Sequence, residues 1–215
     1  MRSLTKLCAD HLRSYSSSHG VKLKSAHAHE LVASFFGYKS KAAMQSDVLS
    51  PIDNLNQAQI LVLVPSLFIE ERRKCLENLP IDLSDTYKLG EEMFTCLATE
   101  NLFSGRVFAS WSHLAKELTK EFLQDNSELK FPQNFEPRTN PHQVFNKPVY
   151  EFNPTIESIN NSIKLTSSNR YYGSSDVHFQ PIDVTLSMEL KRIAGYVGYT
   201  TPEISLINMS HQKDL

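Results

Sequence analysis

Residues 27–31, His27-Ala28-His29-Glu30-Leu31, combine the residue types of a zinc-protease helix. Such a helix needs two histidines four residues apart, so that both reach one metal ion, with a glutamate between them as the general base. The position four residues after His29 is Ala33, and the next histidine along the chain is His113. The spacing therefore argues against a metalloprotease. Because two histidines without a third ligand make a poor site, we predict no bound metal here.

No other stretch offers a complete catalytic or cofactor-binding set. The seven glycines form neither a phosphate-binding loop nor a dinucleotide fingerprint, and Gly173-Ser174-Ser175-Asp176 has the composition of a turn. Cys8, Cys75 and Cys96 are far apart and contain no C-x-x-C, which is typical of reduced thiols. The apolar helical patterns around Cys75 and Cys96 place both in a core. We therefore predict no catalytic residues and no cofactor, and we favour a non-enzymatic protein.

Residues 32–40 present the residue types of a helix-turn-helix in the right order. Ala33 is small where two helices would cross, Gly37 would form the turn, and Phe36 would anchor it. Six side chains around the segment could then contact phosphates and base edges: Lys22, Lys24, Lys39, Ser40, Lys41 and Gln45. The same spacing also packs two helices in any small bundle, and Pro51 limits the last helix. Packing is the preferred interpretation, and nucleic-acid binding is the alternative.

A second candidate contact lies at Asn169-Arg170-Tyr171-Tyr172. A cation beside aromatic rings, Arg170 with Tyr171 and Tyr172, suits the surface that binds a protein partner. A packed loop explains the cluster equally well, so both interpretations stay open.

Composition and charge restrict the class of protein. The chain has 215 residues and is 40% hydrophobic, which supports a folded core. No apolar run approaches the ~20 residues that span a bilayer, and the N-terminus lacks the apolar segment of a secretion signal. We therefore expect a cytoplasmic protein. Residues 1–50 hold seven basic and three acidic residues, a net +4 in a chain of net −2, which permits a polyanion contact there without requiring one.

The spacing of apolar residues predicts an α+β fold in four regions. Residues 1–50 form three short helices, the second capped by Ser25 and ended by Gly37, the third capped by Ser40. Residues 51–130 are mainly helical. Their helices are predicted over 67–78, 84–99 and 107–123, with a strand or the end of a helix at 60–64.

The last two regions differ in character. Residues 131–154 hold five of the ten prolines and predict an extended connector. Residues 155–215 predict a small antiparallel β part. Strict alternation over 182–190 indicates a strand with one buried face, and a second strand over 203–209 completes a hairpin.

Four motifs follow one another between Leu4 and Asp47: Gly20-Val21, His27, His29-Glu30-Leu31-Val32-Ala33 and Gly37-Tyr38. In this order they resemble a small helical module of uncharacterised plasmid- and phage-borne bacterial proteins. The module is also appended to some glyoxalase-superfamily proteins. The family often has a tryptophan just after the turn, where this chain has Lys41. The resemblance implies a bacterial or mobile-element origin.

The same resemblance raises a glyoxalase-like metal enzyme, whose strands present histidine and glutamate to a divalent metal. His178, Glu189 and Glu203 are the available ligands. Too few strands are predicted for the paired units of that fold, so this alternative is the least favoured. We predict instead a non-enzymatic bacterial or mobile-element accessory protein that acts through protein–protein contacts, with an anti-defence role as one form of it. DNA binding through residues 22–45 is the first alternative.

Overall fold

The computed structural model describes residues 3–63, 66–125, 153–171 and 182–211. They belong to two compact units, one of residues 1–110 with 191–201, the other of residues 111–190 with 202–215. Helices and strands both occur, as the predicted α+β class requires. None of the described helices is long and apolar enough to cross a membrane. The predicted connector over 131–154 lies, apart from its last two residues, outside the described ranges.

The first unit is built mainly of helices. They are α1 (Leu4–Ser18), α2 (Ser25–Phe35), α3 (Lys41–Ser46), α4 (Ser66–Lys74) and α5 (Thr86–Thr99), with a 3-10 helix at Ile52–Gln57. Residues 31–36, the end of α2 and its C-cap, are all buried, so this segment lies at the centre of the core. Leu12, Leu55 and Met93 join it from other elements of the same unit. The three predicted N-terminal helices are confirmed.

The ends of α2 and α3 show how local sequence sets these helices. Gly37 has φ +84°, its N–H donates to the Ser34 carbonyl, and the Tyr38 N–H donates to the Ala33 carbonyl. This is a Schellman motif, which a glycine permits because it has no Cβ. Ser40 caps α3 as predicted, accepting from the Ala43 N–H at 3.1 Å. The predicted Ser25 cap is wrong, because Lys24 holds the N-cap position and no side chain bonds there.

Three short strands and the end of a long one complete the first unit. β1 (Ile60–Val62) pairs in parallel with β2 (Arg106–Phe108) and antiparallel with β6 (Gly198–Tyr199), which pairs in turn with the end of β5 (Ile182–Ala194). The ambiguous run over 60–64 is therefore a strand. The helix predicted from 107 begins only at residue 111, because residues 107 and 108 pair with β1. The Phe108 carbonyl accepts the Leu63 N–H at 2.9 Å.

The second unit contains α6 (Trp111–Asp125), β3 (Thr155–Ile159), β4 (Ser162–Tyr171), the first part of β5, and β7 (Glu203–His211). Its strands lie in the order β7-β5-β4-β3. Alternate residues of β5 are buried, from Ile182 to Leu190, which confirms the predicted strand and its buried face. β5 and β7 pair antiparallel, with Val184 opposite Met209. The β3–β4 hairpin turns at Asn160, which has φ +53°.

Candidate functional site

One concave surface of the first unit is a groove beside α3, which we call the Tyr38 groove. It encloses about 530 Å³. Its lining includes the side chains of Tyr38, Asp47, Leu49, Phe68, Arg192 and Tyr196. Two turns bring them together, one after α2 and one between β5 and β6. The groove therefore joins residues about 150 positions apart in the sequence.

The second turn is held against the first by backbone hydrogen bonds. The Gly195 N–H donates to the Ser50 carbonyl at 2.9 Å, and the Tyr196 N–H donates to the Phe36 carbonyl at 3.0 Å. Gly195 has φ +55°, and a Cβ there would stand 2.9 Å from the Phe36 oxygen. Only glycine meets both conditions without strain. The position of Tyr196 in the groove is therefore set by glycine geometry.

Asp47 lies at the base of the groove and is its electrostatic centre. Its Oδ1 accepts the N–H groups of Leu49 and Ser50, each at 3.0 Å, and its Oδ2 accepts the Tyr38 hydroxyl at 2.9 Å. Arg192 Nη2 lies 3.8 Å from the same Oδ2. Desolvation acts to raise the pKa of the Asp47 carboxyl, but the Ser50 N–H, the Tyr38 hydroxyl and the Arg192 charge together hold that pKa below its ordinary value. Asp47 therefore remains a carboxylate at neutral pH.

The two tyrosines of the groove have different roles. Tyr38 is buried, and burial, followed by the bond to Asp47, raises the pKa of its phenol, so it stays a neutral donor. Tyr196 is 50% exposed. Its ring contacts Tyr38 edge-on at 5.2 Å between centroids, and the Arg192 guanidinium lies 4.3 Å from its centre. Such a cation–π contact holds the ring in place while one face stays open to solvent.

The aliphatic side chain of Leu49 lines the groove beside this fixed base, and the residue before it, Val48, is also exposed. Val48 is 86% exposed and Leu49 is 71% exposed, directly after Asp47 in the sequence. Lys39 is exposed at the groove's edge. Tyrosine and arginine are among the residue types enriched in protein-binding hot spots, and exposed apolar residues beside them are typical of an interaction surface.

The six side chains predicted to contact nucleic acid are not equally accessible. Lys22, Lys24, Lys39 and Gln45 are exposed, whereas Ser40 and Lys41 are half-buried. The Lys41 N–H donates to Glu30 Oε2 at 3.0 Å, and Arg72 pairs with the same oxygen at 2.6 Å. The Ser40 hydroxyl and the Glu30 carboxylate thus occupy the donors at the start of α3. A phosphate there would have to replace these existing contacts.

Two of the residues predicted to bind a protein partner, Arg170 and Tyr171, lie in the second unit. Tyr171 is 1% exposed, and Arg170 makes two hydrogen bonds to Asp183, at 2.7 and 2.9 Å. Their placement favours the packed interpretation of this cluster. Tyr172 lies outside the described residues. The assignment of all three to a partner surface stays a prediction.

Two of the residues considered for metal chemistry have other partners, and His178 lies outside the described residues. His29 Nδ1 donates to the Ser25 carbonyl at 2.8 Å, and Glu30 is engaged with α3 and Arg72. Across the described ranges there is no group of three His, Cys, Asp or Glu side chains that could hold a metal ion.

The cysteines divide into a buried pair and an exposed residue. Cys8 and Cys96 are buried, with their sulfurs 3.9 Å apart, which confirms the core position predicted for Cys96. Cys75 is exposed, so its predicted core position is wrong: α4 ends at Lys74, before the helical pattern would bury it.

Sequence reasoning missed the main members of the groove, Asp47, Arg192 and Tyr196. Asp47 and Tyr38 lie within or next to the helix-turn-helix-like segment, but their partners come from the far end of the chain. The only local signal was Gly195 and Gly198 flanking a tyrosine in a turn after a strand. Comparison with protein-family models, with curated proteins and with solved structures found no match to this chain.

Proposed function

We propose that this chain is a binding protein that holds a partner protein in the Tyr38 groove. The observation that carries the proposal is the exposed pair Val48 and Leu49 beside a tyrosine fixed by an arginine. Isolated exposed apolar residues are common on any protein, but here Leu49 lines a concave surface whose base is already ordered, and Val48 is its neighbour in the sequence. An ordered base lowers the entropy lost on binding.

The chemistry of the groove indicates the kind of segment it would hold. Tyr196, Leu49 and Phe68 offer contact to an aliphatic or aromatic side chain. Lys39 stands at the edge as an exposed cation, whereas the Asp47 charge is already bonded to Tyr38 and to two backbone N–H groups. A partner segment with an apolar residue close to a carboxylate therefore complements this surface best.

A protein partner fits these observations better than DNA does. The first helical turn of α3 is capped by Ser40 and by the Glu30 carboxylate, and α3 has only six residues. A helix of that length extends about 9 Å, which leaves little to enter a major groove. The exposed lysines keep DNA as the alternative partner. The bacterial or mobile-element setting is part of the proposal and rests on the module resemblance alone.

The experiment is a quantitative affinity capture from bacterial extract with matched variants. Leu49→Asp places a charge on the groove's rim, and Ile81→Asp places the same charge at a residue that is 98% exposed and outside the groove's lining. We expect a defined set of proteins that nuclease treatment does not remove. Leu49→Asp should deplete this set about tenfold or more, because burying a charge without a partner costs over about 1.4 kcal/mol.

Three results would contradict the proposal. One is equal capture by wild type and Leu49→Asp. Another is equal loss in Leu49→Asp and Ile81→Asp, which would indicate a general charge effect. The third is capture that disappears with nuclease, which would transfer the function to nucleic acid.

A further inference from the structure

A second concave feature of the first unit is a cavity of about 250 Å³ between α2, α4 and α5. It is separate from the Tyr38 groove, and no residue lines both. Its walls are Phe35 from α2, Ile69 from α4, Phe94 from α5 and Leu63 after β1. Phe35 and Phe94 meet edge-on, with ring centroids 5.3 Å apart and an angle of 71°. The cavity is therefore walled mainly by apolar and aromatic groups.

Gly90 is the residue that keeps this space open. It lies inside α5, where glycine weakens a helix relative to alanine. A Cβ at Gly90 would have no atom within 4 Å, so neighbouring side chains do not require the glycine. Its physical consequence is a wider cavity, since any larger residue there would project into the free volume. Gly90 therefore lowers the stability of α5 and enlarges the cavity.

Polar groups at the cavity restrict what could enter it. The Thr86 hydroxyl donates to Glu70, and Glu91 pairs with Lys88 at 2.9 Å. Tyr87 borders the cavity and is 76% exposed. An anion would lose its hydration in this apolar space, and the nearby Lys88 and Arg73 charges are already paired with Glu91 and Glu70. A neutral molecule with a small polar substituent loses less hydration than an anion does.

From these observations we infer that the cavity between α2, α4 and α5 is a binding site for a small, uncharged aromatic molecule. The volume is consistent with this class, since an apolar cavity of about 150 Å³ accepts benzene. A cavity of 250 Å³ accepts a single ring with substituents. The substituent would lie toward Thr86 and Tyr87, and the ring would lie against Phe35 and Phe94. This site does not depend on the proposed partner groove.

The test uses the full chain and 4-methylphenol as the probe, with 4-methylbenzoate as its anionic counterpart. Binding is followed by amide chemical shifts in two-dimensional NMR. We expect saturable shifts centred on Gly90 and Phe94, with Kd on the order of 1 mM or tighter for so small a ligand. 4-methylbenzoate should bind at least about tenfold more weakly, because its carboxylate would lose hydration in an apolar cavity.

Variants then separate occupancy of the cavity from binding elsewhere. Gly90→Leu fills the space and should abolish the shifts. Ala98→Leu adds the same side chain at an exposed position of α5 and should leave them unchanged. Far-UV circular dichroism establishes that each variant is folded. If Gly90→Leu does not fold, the shift map of the wild type and the comparison of the two probes decide alone.

The inference is overturned by an absence of saturable shifts in the wild type, or by shifts centred away from α5. Equal binding of the phenol and the benzoate, or undiminished binding to folded Gly90→Leu, would also overturn it.

Discussion

Asp47 is the residue on which the Tyr38 groove depends. It accepts hydrogen bonds from the Tyr38 hydroxyl and from two backbone N–H groups, and Arg192 lies close to the same carboxylate. Each contact fixes one part of the groove: the base, the turn after α3, and the strand end that carries Tyr196. The loss of this one charge therefore affects three elements together.

The first prediction concerns the pH dependence of this network. Because the pKa of folded Asp47 lies below its unfolded value of about 3.9, its stabilisation is present above that pH and is lost as pH falls through the folded pKa. Asp47→Asn should lower the free energy of unfolding by about 1–2 kcal/mol at pH 7. The difference from wild type should shrink toward pH 3, as measured by urea denaturation at both pH values.

A control for this prediction is Asp53→Asn, which removes an exposed carboxyl at the 3-10 helix. Its effect should stay within about 0.5 kcal/mol. A difference for Asp47→Asn that is as large at pH 3 as at pH 7 would show that its ionisation does not stabilise the fold.

At the scale of elements, two tight turns position the groove. The turn after α2 is a local device, since its glycine and the hydrogen bonds that close it lie within six residues. The turn at Gly195 is different, because its hydrogen bonds run to Ser50 and Phe36. It brings the end of β5 to the helical part of the same unit. The groove forms only when both turns are in place.

The second prediction compares two glycines with positive φ. Gly195→Ala should destabilise the protein by about 1 kcal/mol for the left-handed backbone and by a further ~1–3 kcal/mol for the close contact with the Phe36 carbonyl. Gly20 has φ +77° and no atom within 4 Å of an added Cβ. Gly20→Ala should therefore lose only the stability of about 1 kcal/mol that the left-handed backbone costs. Urea denaturation of both variants measures the difference. Equal losses of stability in the two variants would mean that the turn at Gly195 accommodates the added Cβ without an energetic cost.

At the scale of the whole molecule, net charge is divided unevenly along the sequence. Residues 1–50 have a net charge of +4, and the remainder of the chain has a net negative charge. Four of the six lysines and polar residues considered for DNA binding are exposed. Basic character alone supports weak, salt-dependent attraction to a polyanion. It does not by itself produce a specific complex.

The third prediction therefore measures duplex DNA binding at physiological salt by wild type and by Lys39→Ala combined with Lys41→Ala. We expect a dissociation constant in the non-specific range of about 10⁻⁴–10⁻⁶ M. The double variant should change this constant by no more than about threefold. Lys22→Ala combined with Lys24→Ala removes the same charge elsewhere in the segment and serves as the control. Tight binding that only the Lys39 and Lys41 pair disrupts would support the helix-turn-helix alternative instead.

Local patterns predicted the regular elements well. The second helix, the glycine turn after it, the Ser40 cap and the long alternating strand at 182–190 all depend on neighbours within a few residues, and all were confirmed. Residues 107 and 108 were assigned to a helix because their apolar pattern continues that of α6. They form a strand because β1, more than 40 residues earlier, pairs with them. Helical spacing cannot reveal such a partner.

The sequence by itself determined an α+β protein with a helical N-terminal region, and the glycine turn that ends α2 at Gly37. It did so because amphipathic period and glycine chemistry act over a few residues. Only the tertiary structure decided what surrounds that turn. Arg192 and Tyr196 reach Asp47 and Tyr38 across about 150 residues, and Glu30 bonds to Arg72 and α3 instead of a metal. Such contacts depend on chain topology, which brings distant residues together and leaves no trace in local spacing.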